Sequence, residues 1–356
     1  MDHELEKICF EVSQRFPEMG QLKSVTILKR GHIHDTIIAV CDSPRGPRRF
    51  VLQRLNSQVF PNLPGVMNNI QKILKYLEST DCALPVEIIQ NNAGTPLVQD
   101  KLGQSWRCFS FVEDTEVFDI CPSAEHAFQA SKFIAKFLRA LEKFPVEELI
   151  EPIPNFQNLP QRFVALEVAA KSDTQARLKD CREMLQRLEP WADRVAEIEK
   201  GRQSGKIALR VTHGDLKINN LLFRAGTPIP HCLVDLDTCM PGTLAYDFGD
   251  WVRNTTISAA EDEQDFAKVR VDNQVFQQII KGFSAELGDR LSAAEQSLLE
   301  VAPALIAATL AARFLTDYLR GDTYFHISRS NHNLERAKTQ LFVADQFWAR
   351  AQELQK

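Results

Sequence analysis

Two short segments of this chain carry polar residues whose types and order could do chemistry. The first is THGDLKINNLLF, in which Asp215 precedes Asn220 by five positions. The second is HCLVDLDTCMPG, which holds Asp235 and Asp237 after an apolar run. Phosphoryl transfer asks little covalent chemistry of a protein. It needs one group to orient the attacking hydroxyl and a divalent cation to neutralise phosphate oxygens. Hard cations such as Mg2+ prefer carboxylate and carbonyl oxygens. Asp215 supplies the carboxylate for the hydroxyl. Asn220 and Asp235 supply one neutral and one charged oxygen for the metal. Asp237 would share a strand face with Asp235, and so could join the metal or turn towards a substrate. The plainer reading is two polar turns bounding buried strands. An order of catalytic Asp, metal-binding Asn and metal-binding Asp over this spacing favours the chemistry.

Such residues must be held by elements, and the chain divides into two regions. In the first third, Ser24–Lys29, Thr36–Val40 and Phe50–Leu55 read as strands, short and rich in β-branched residues. Val66, Ile70, Ile73, Leu74 and Leu77 recur at helical spacing. Val86–Gln90 and Trp106–Val112 read as two further strands. Beyond Glu113-Asp114 the pattern becomes helical. Ser123 reads as an N-cap, followed by a stripe from Phe128 to Leu141. More helices are expected near 173–199, 243–258, 273–287, 292–319 and 333–354. Only Ala208–Val211, Leu221–Phe223 and Cys232–Val234 look strand-like in this half, and they flank the two motifs.

These stretches resemble the aminoglycoside phosphotransferase/choline kinase family, which has a protein-kinase-like fold. The resemblance rests on GHIHDT, FVLQRLNSQVFPN, RVTHGDLKINNLLF, LVDLDTCMPGTLAYDFGDWVR, RFLTDYLRGDTYF and HNLERAKTQ, in order along nearly the whole chain. Within the family, the MPG, FGD and RFLTDYLRGDTYF segments are most similar to the bacterial N-acetylhexosamine 1-kinases. The implied fold is α+β and bilobal, with a small β-rich N-lobe and a large, mainly helical C-lobe. The implied domains are residues 1–112 for nucleotide binding, a hinge at 113–116, and 117–356 for the catalytic loop, metal and sugar. The implied activity is ATP- and Mg2+-dependent phosphorylation of the anomeric hydroxyl of an N-acetylhexosamine. Asp215 would be the catalytic base, Asn220 and Asp235 the Mg2+ ligands, and Asp215, Arg313 and Tyr324 the sugar contacts. Gly214 stands where that branch carries asparagine.

The remaining candidates follow from this frame. Gly31 and His32, in RGHIHDT, would belong to the phosphate-covering loop, although a plain hairpin turn reads equally well. Arg54 is the only cation on FVLQRL. It would bind phosphate or be an exposed strand arginine. Backbone groups of Phe111, Val112 and Glu113 would hold adenine. Asp247 reads as a support for the catalytic-loop backbone, and Asp250 as a helix cap or a substrate-side group. Arg313 interrupts an apolar helix and needs a partner, either Asp317 or Asp322 in an ion pair, or sugar hydroxyls and an acetyl carbonyl. Tyr324 is otherwise a core aromatic with a polar tip.

Composition narrows the alternatives. With 356 residues, 44% hydrophobic, a net charge of −5 and a pI near 6.0, the chain has no broad basic surface for nucleic acid. The uncharged run Val301–Ala312 is too short for a bilayer and reads as a buried helix. Eight cysteines show no CxxC or zinc spacing, so reduced thiols in a cytoplasmic setting are the simplest expectation. The expected partners are ATP and an amino sugar, with a monomer the simplest assembly. The competing readings are phosphorylation of an aminoglycoside or another small-molecule hydroxyl, and a nucleotide-binding pseudokinase.

Overall fold

The structure is a computed structural model, and it describes residues 2–28 and 33–354. Its first part comprises α1 (Asp2–Ser13), β1 (Gln21–Leu28), β2 (Asp35–Ser43), β3 (Gly46–Arg54), α2 (Leu63–Leu77), β4 (Ile88–Ile89), β5 (Val98–Gln99) and β6 (Ser105–Ser110). The strands form one antiparallel sheet in the order β1-β2-β3-β6-β4, with β5 also on β6. Side chains alternate across a strand, and here the two faces differ in kind. Ile37, Ala39, Phe50, Leu52, Trp106 and Cys108 pack against Cys9, Val12 and Phe16 of α1. On the other face Thr36, Gln53 and Arg107 lie side by side across β2, β3 and β6.

The second part begins with β7 (Thr115–Glu116), α3 (Ala124–Ala140), α4 (Leu159–Ser172), α5 (Arg182–Gln203) and β8 (Arg210–Thr212). It continues through β9 (Leu221–Arg224), β10 (Pro230–Leu233), β11 (Met240–Gly242), α6 (Leu244–Thr256), α7 (Asn273–Leu287), α8 (Ala293–Arg320) and α9 (His332–Leu354). The fold is thus α+β, a sheet-based N-terminal part followed by a helical one. Ser123 caps α3 by accepting the His126 N–H, and Asn62 caps α2 by accepting the Gly65 N–H. Helix α2 turns Val66, Ile70, Ile73 and Leu77 away from the α1 cluster, into the same apolar cluster as the C-terminal helices. Its buried Asn69 donates to the carbonyls of Ile150 and Cys239, at 2.9 and 3.0 Å.

One sequence expectation differs in the middle of the helical part. The segment expected as a single helix near 173–199 is a turn followed by α5, and α4 precedes it. Helix α4 ends at Asp173, whose left-handed backbone (φ 36°) closes it. Helix α8 contains the uncharged run 301–312 and is longer than that run, at 28 residues. By length and hydropathy it could cross a membrane, yet two thirds (67%) of its apolar window is buried inside the protein. It packs on α4, α5, α6 and α9 as the central core helix.

Candidate active site

The loop after β8 is fixed from beneath. Asp247, in the first turn of α6, is fully buried. Its two carboxylate oxygens accept the backbone N–H groups of His213 (2.6 Å) and Gly214 (2.8 Å). Burial pushes this carboxyl up to about 7, against the pull of those two N–H groups. Gly214 adopts φ 83°, and a Cβ there would stand 2.8 Å from the Thr238 carbonyl oxygen. The site therefore favours glycine, and asparagine over other residues, because both tolerate a left-handed backbone. His213 is buried. Its Nδ1 accepts the Asp215 N–H at 3.3 Å, and its Nε2 donates to the Val234 carbonyl at 3.0 Å. The imidazole thus ties the loop to the residue before Asp235, and burial lowers its pKa, which keeps the ring neutral.

Strands β9 and β10 bring the second motif back beside the first. Val234 donates its N–H to the Asn220 carbonyl at 2.9 Å. The Asn220 side chain donates through Nδ2 to the Asp215 carbonyl at 2.8 Å and approaches the Asp215 carboxylate at 3.4 Å. With the amide nitrogen committed, Oδ1 is the group left for a cation. Asp235 has a left-handed backbone, φ 63° and ψ 50°. That conformation is uncommon for a residue with a Cβ and is least costly for Asp and Asn. Asp235 is open to the cleft, yet protein surrounds it on its other sides. This enclosure, with the carboxylates of Asp237 and Asp215, pushes it up to about 7. A cation would relieve that repulsion, so the donor set suits a hard divalent ion. Among the described residues no three His, Cys, Asp or Glu side chains cluster at metal-binding distance. A cation there would meet one amide oxygen and one carboxylate, a pair that fits Mg2+ when phosphates and water complete its shell.

Asp237 has a different task. Arg107 grips it through two bonds of 2.6 Å, with both side chains almost fully buried (1% and 3% exposed). His34 Nε2 lies 3.6 Å away, and Gln53 accepts from Arg107 Nε at 2.9 Å. Burial alone would raise the Asp237 carboxyl, but the Arg107 charge and the His34 and Arg107 side chains hold it well below the usual carboxylate range. Asp237 thus links the sheet to the turn that carries Asp235. The same geometry corrects the reading of Arg54. That residue shares the α1-facing side of β3 with Phe50 and Leu52, pairs with Asp35 at 2.7 Å, and lies over the Trp106 ring. Strand alternation puts Gln53, not Arg54, on the cleft side, and the cation there is Arg107.

A cavity of about 200 Å3 opens beside Asp215. Its lining includes Asp250, Arg253, Arg162, Arg313, Phe314 and Phe325. Asp250 accepts from Arg253 at 2.8 Å. Arg313 has neither of the aspartate partners expected for it. Asp317 accepts the backbone N–H groups of Thr323, Tyr324 and Phe325, and Asp322 pairs with Arg177 at 2.5 Å. The Arg313 guanidinium lies instead over Phe325 (5.4 Å) and Tyr324 (6.0 Å). Tyr324 is 69% exposed and stands outside the cavity lining.

A family model described as the phosphotransferase enzyme family matches residues 25–274, well over half of the chain. The chain belongs to that family. Solved structures agree on the fold. An aminoglycoside phosphotransferase from Alicyclobacillus acidocaldarius is similar at 14% identity and a TM-score of 0.62, over 92% of both chains. A spectinomycin phosphotransferase solved with ADP and spectinomycin gives 12% and 0.54, over 96% of this chain and 98% of the other. A choline kinase from Cryptosporidium parvum gives 11% and 0.53, over 99% and 96%. The protein is a phosphotransferase with a protein-kinase-like fold.

Other parts of this phosphotransferase were less visible in the sequence. Gly31 and His32 lie outside the described residues. At the connection between sheet and helices, Phe111 donates its N–H to the Arg49 carbonyl, and the Val112 carbonyl accepts the Thr115 hydroxyl. Both groups are thereby committed. The Glu113 side chain is tied to Arg49. Two candidate residues were missed. Lys217 Nζ lies 2.6 Å from the Asp215 carboxylate. Burial would lower its pKa, but Asp215, Asp235 and Asp250 raise it, so the ammonium stays charged. Arg107 is the other, and its signal was a lone cation in the apolar strand SWRCFS.

Proposed function

We propose that this phosphotransferase uses ATP and Mg2+ to phosphorylate the anomeric hydroxyl of an N-acetylhexosamine. Asp215 faces the cavity and accepts the hydrogen bond, then the proton, of the attacking hydroxyl. Lys217 neutralises charge on the phosphoryl group in flight while holding Asp215 in place. Asn220 and Asp235 would hold the Mg2+, which would offset charge on the phosphate oxygens. Asp247 and His213 fix the loop, so that positioning and charge neutralisation do most of the work. ATP phosphates would meet the loop containing Gly31 and His32, and adenine the backbone near Phe111, Val112 and Glu113. Arg313, with Tyr324 beside it, would contact the sugar.

One observation carries the choice of acceptor. The cavity beside Asp215 presents Arg162 and Arg313 without a carboxylate partner among the described residues, next to apolar and aromatic walls. Polycationic aminoglycosides or a quaternary amine would meet unneutralised guanidinium there, whereas a neutral polyhydroxyl ring with an acyl group would not. A pseudokinase reading gains nothing from a site in which Asp215, Asn220 and Asp235 are all present. The test is an ADP-release screen with N-acetylglucosamine, N-acetylgalactosamine, galactose, choline and kanamycin. Turnover is expected for at least one acetylated sugar. Turnover of choline or kanamycin with both acetylated sugars inert would overturn the proposal.

A further inference from the structure

Arg162 is a part of the acceptor cavity that nothing above has explained. It sits in the first turns of α4, on the opposite wall-forming helix from Arg313 of α8. Its Nη2 donates to the carbonyls of Asn155 (2.9 Å) and Phe156 (3.3 Å), which anchors the guanidinium to the preceding loop. Its Nε is buried with no hydrogen-bond partner among the described residues. Burial first, and then the nearby Arg313 charge, depress its pKa. Every other charged group on the lining has an opposite charge at hand: Asp215 with Lys217, Asp250 with Arg253, and Glu261 with Arg336 at 3.7 Å. Arg162 and Arg313 have none among the described residues. Two guanidinium groups lining one small cavity, one with a buried N–H left over, are unfavourable unless an electron-rich oxygen joins them. Beside them Leu159, Ile306, Leu310 and Phe314 form an apolar wall.

We propose that Arg162 is a specificity-determining residue of the acceptor site, which together with Arg313 binds the acyl oxygen of the acceptor's N-acetyl group while the apolar wall takes its methyl. The proposal rests on the amino-sugar reading of the function and goes further by naming how the acetyl group is read. It also states what the site rejects. A free 2-amino sugar is an ammonium ion at neutral pH and would face two guanidinium groups.

The experiment compares kcat/KM for N-acetylglucosamine, glucosamine, glucose and glucuronate in the wild-type enzyme, Arg162→Ala and Arg162→Gln. A site built to hydrogen-bond a substrate group rejects analogues lacking it strongly. The wild type should therefore prefer N-acetylglucosamine over glucosamine by about 100-fold or more. In both variants that preference should narrow to below about tenfold, with the loss in the acceptor KM rather than in kcat. Isothermal titration of N-acetylglucosamine into the three proteins reads the same preference without turnover, and thermal unfolding confirms that the variants are folded. Equal losses for all acceptors in the variants, or glucuronate as the best wild-type acceptor, would overturn the assignment. If glucose or glucosamine is phosphorylated and N-acetylglucosamine is not, the N-acetylhexosamine reading itself falls, which is a separate result.

Discussion

The buried pair of Arg107 and Asp237 gives the sharpest stability prediction. Consider Arg107→Ala. It leaves Asp237, 3% exposed, with no guanidinium partner and with His34 Nε2 at 3.6 Å. Breaking one side of a buried ion pair costs about 3–5 kcal/mol, because the other charge stays desolvated. The substitution also removes a guanidinium that bonds Gln53 and lies 4.9 Å from the Phe109 ring, so the upper half of that range is expected. Replacing both partners with apolar residues, as Arg107→Met with Asp237→Leu, removes the unpaired charge and should be close to neutral. The cycle should then show a coupling energy of about 3 kcal/mol or more, against roughly 0.3–0.5 kcal/mol of scatter for independent sites. Urea unfolding at fixed salt measures Arg107→Ala and the four proteins of the cycle, namely wild type, Arg107→Met, Asp237→Leu and the double variant. A cost below about 1 kcal/mol for Arg107→Ala, the value for an exposed pair, would refute the picture of a closed link between the sheet and the Asp235 turn.

Three further outcomes follow from the same geometry. Because the folded Asp237 carboxyl is held low, its stabilisation is complete above the unfolded pKa of about 3.9 and is lost as pH falls below it. Acid unfolding curves should therefore show wild type losing more stability below about pH 5 than the apolar double variant, and parallel curves would contradict this. Asp247→Ala strands two buried N–H groups of the catalytic loop, at about 1–3 kcal/mol each; thermal unfolding and kcat should both fall, and unchanged kcat would remove Asp247 from loop positioning. At Gly214, φ 83° and the near Thr238 carbonyl make Gly214→Ala costly, with about 1–2 kcal/mol from the left-handed backbone alone. Gly214→Asn should cost less, and the reverse order of melting temperatures would show that backbone conformation does not govern the position.

Much of the site was legible because its logic is local. Asn220 follows Asp215 by five positions, and a short hairpin returns Asp235, so order and spacing sufficed. What escaped depends on which way a side chain faces. Arg54 and Gln53 are adjacent in sequence, and only the sheet's alternation decides which meets the cleft. Arg107 matters through a partner 130 residues away. Helix α4 was hidden by its own surface. Val164 and Val168, about half exposed, break the stripe made by Leu159, Phe163, Leu166 and Ala169. Helix α5 carries Pro190 in its interior, where a proline normally argues for an end.

The most direct test of the whole account is ADP release by Asp215→Asn under saturating ATP, Mg2+ and an accepted sugar. If Asp215 is the group that takes the hydroxyl proton, kcat should drop by about 100- to 10,000-fold while the melting temperature barely moves. A folded Asp215→Asn enzyme turning over within a few-fold of wild type would contradict it.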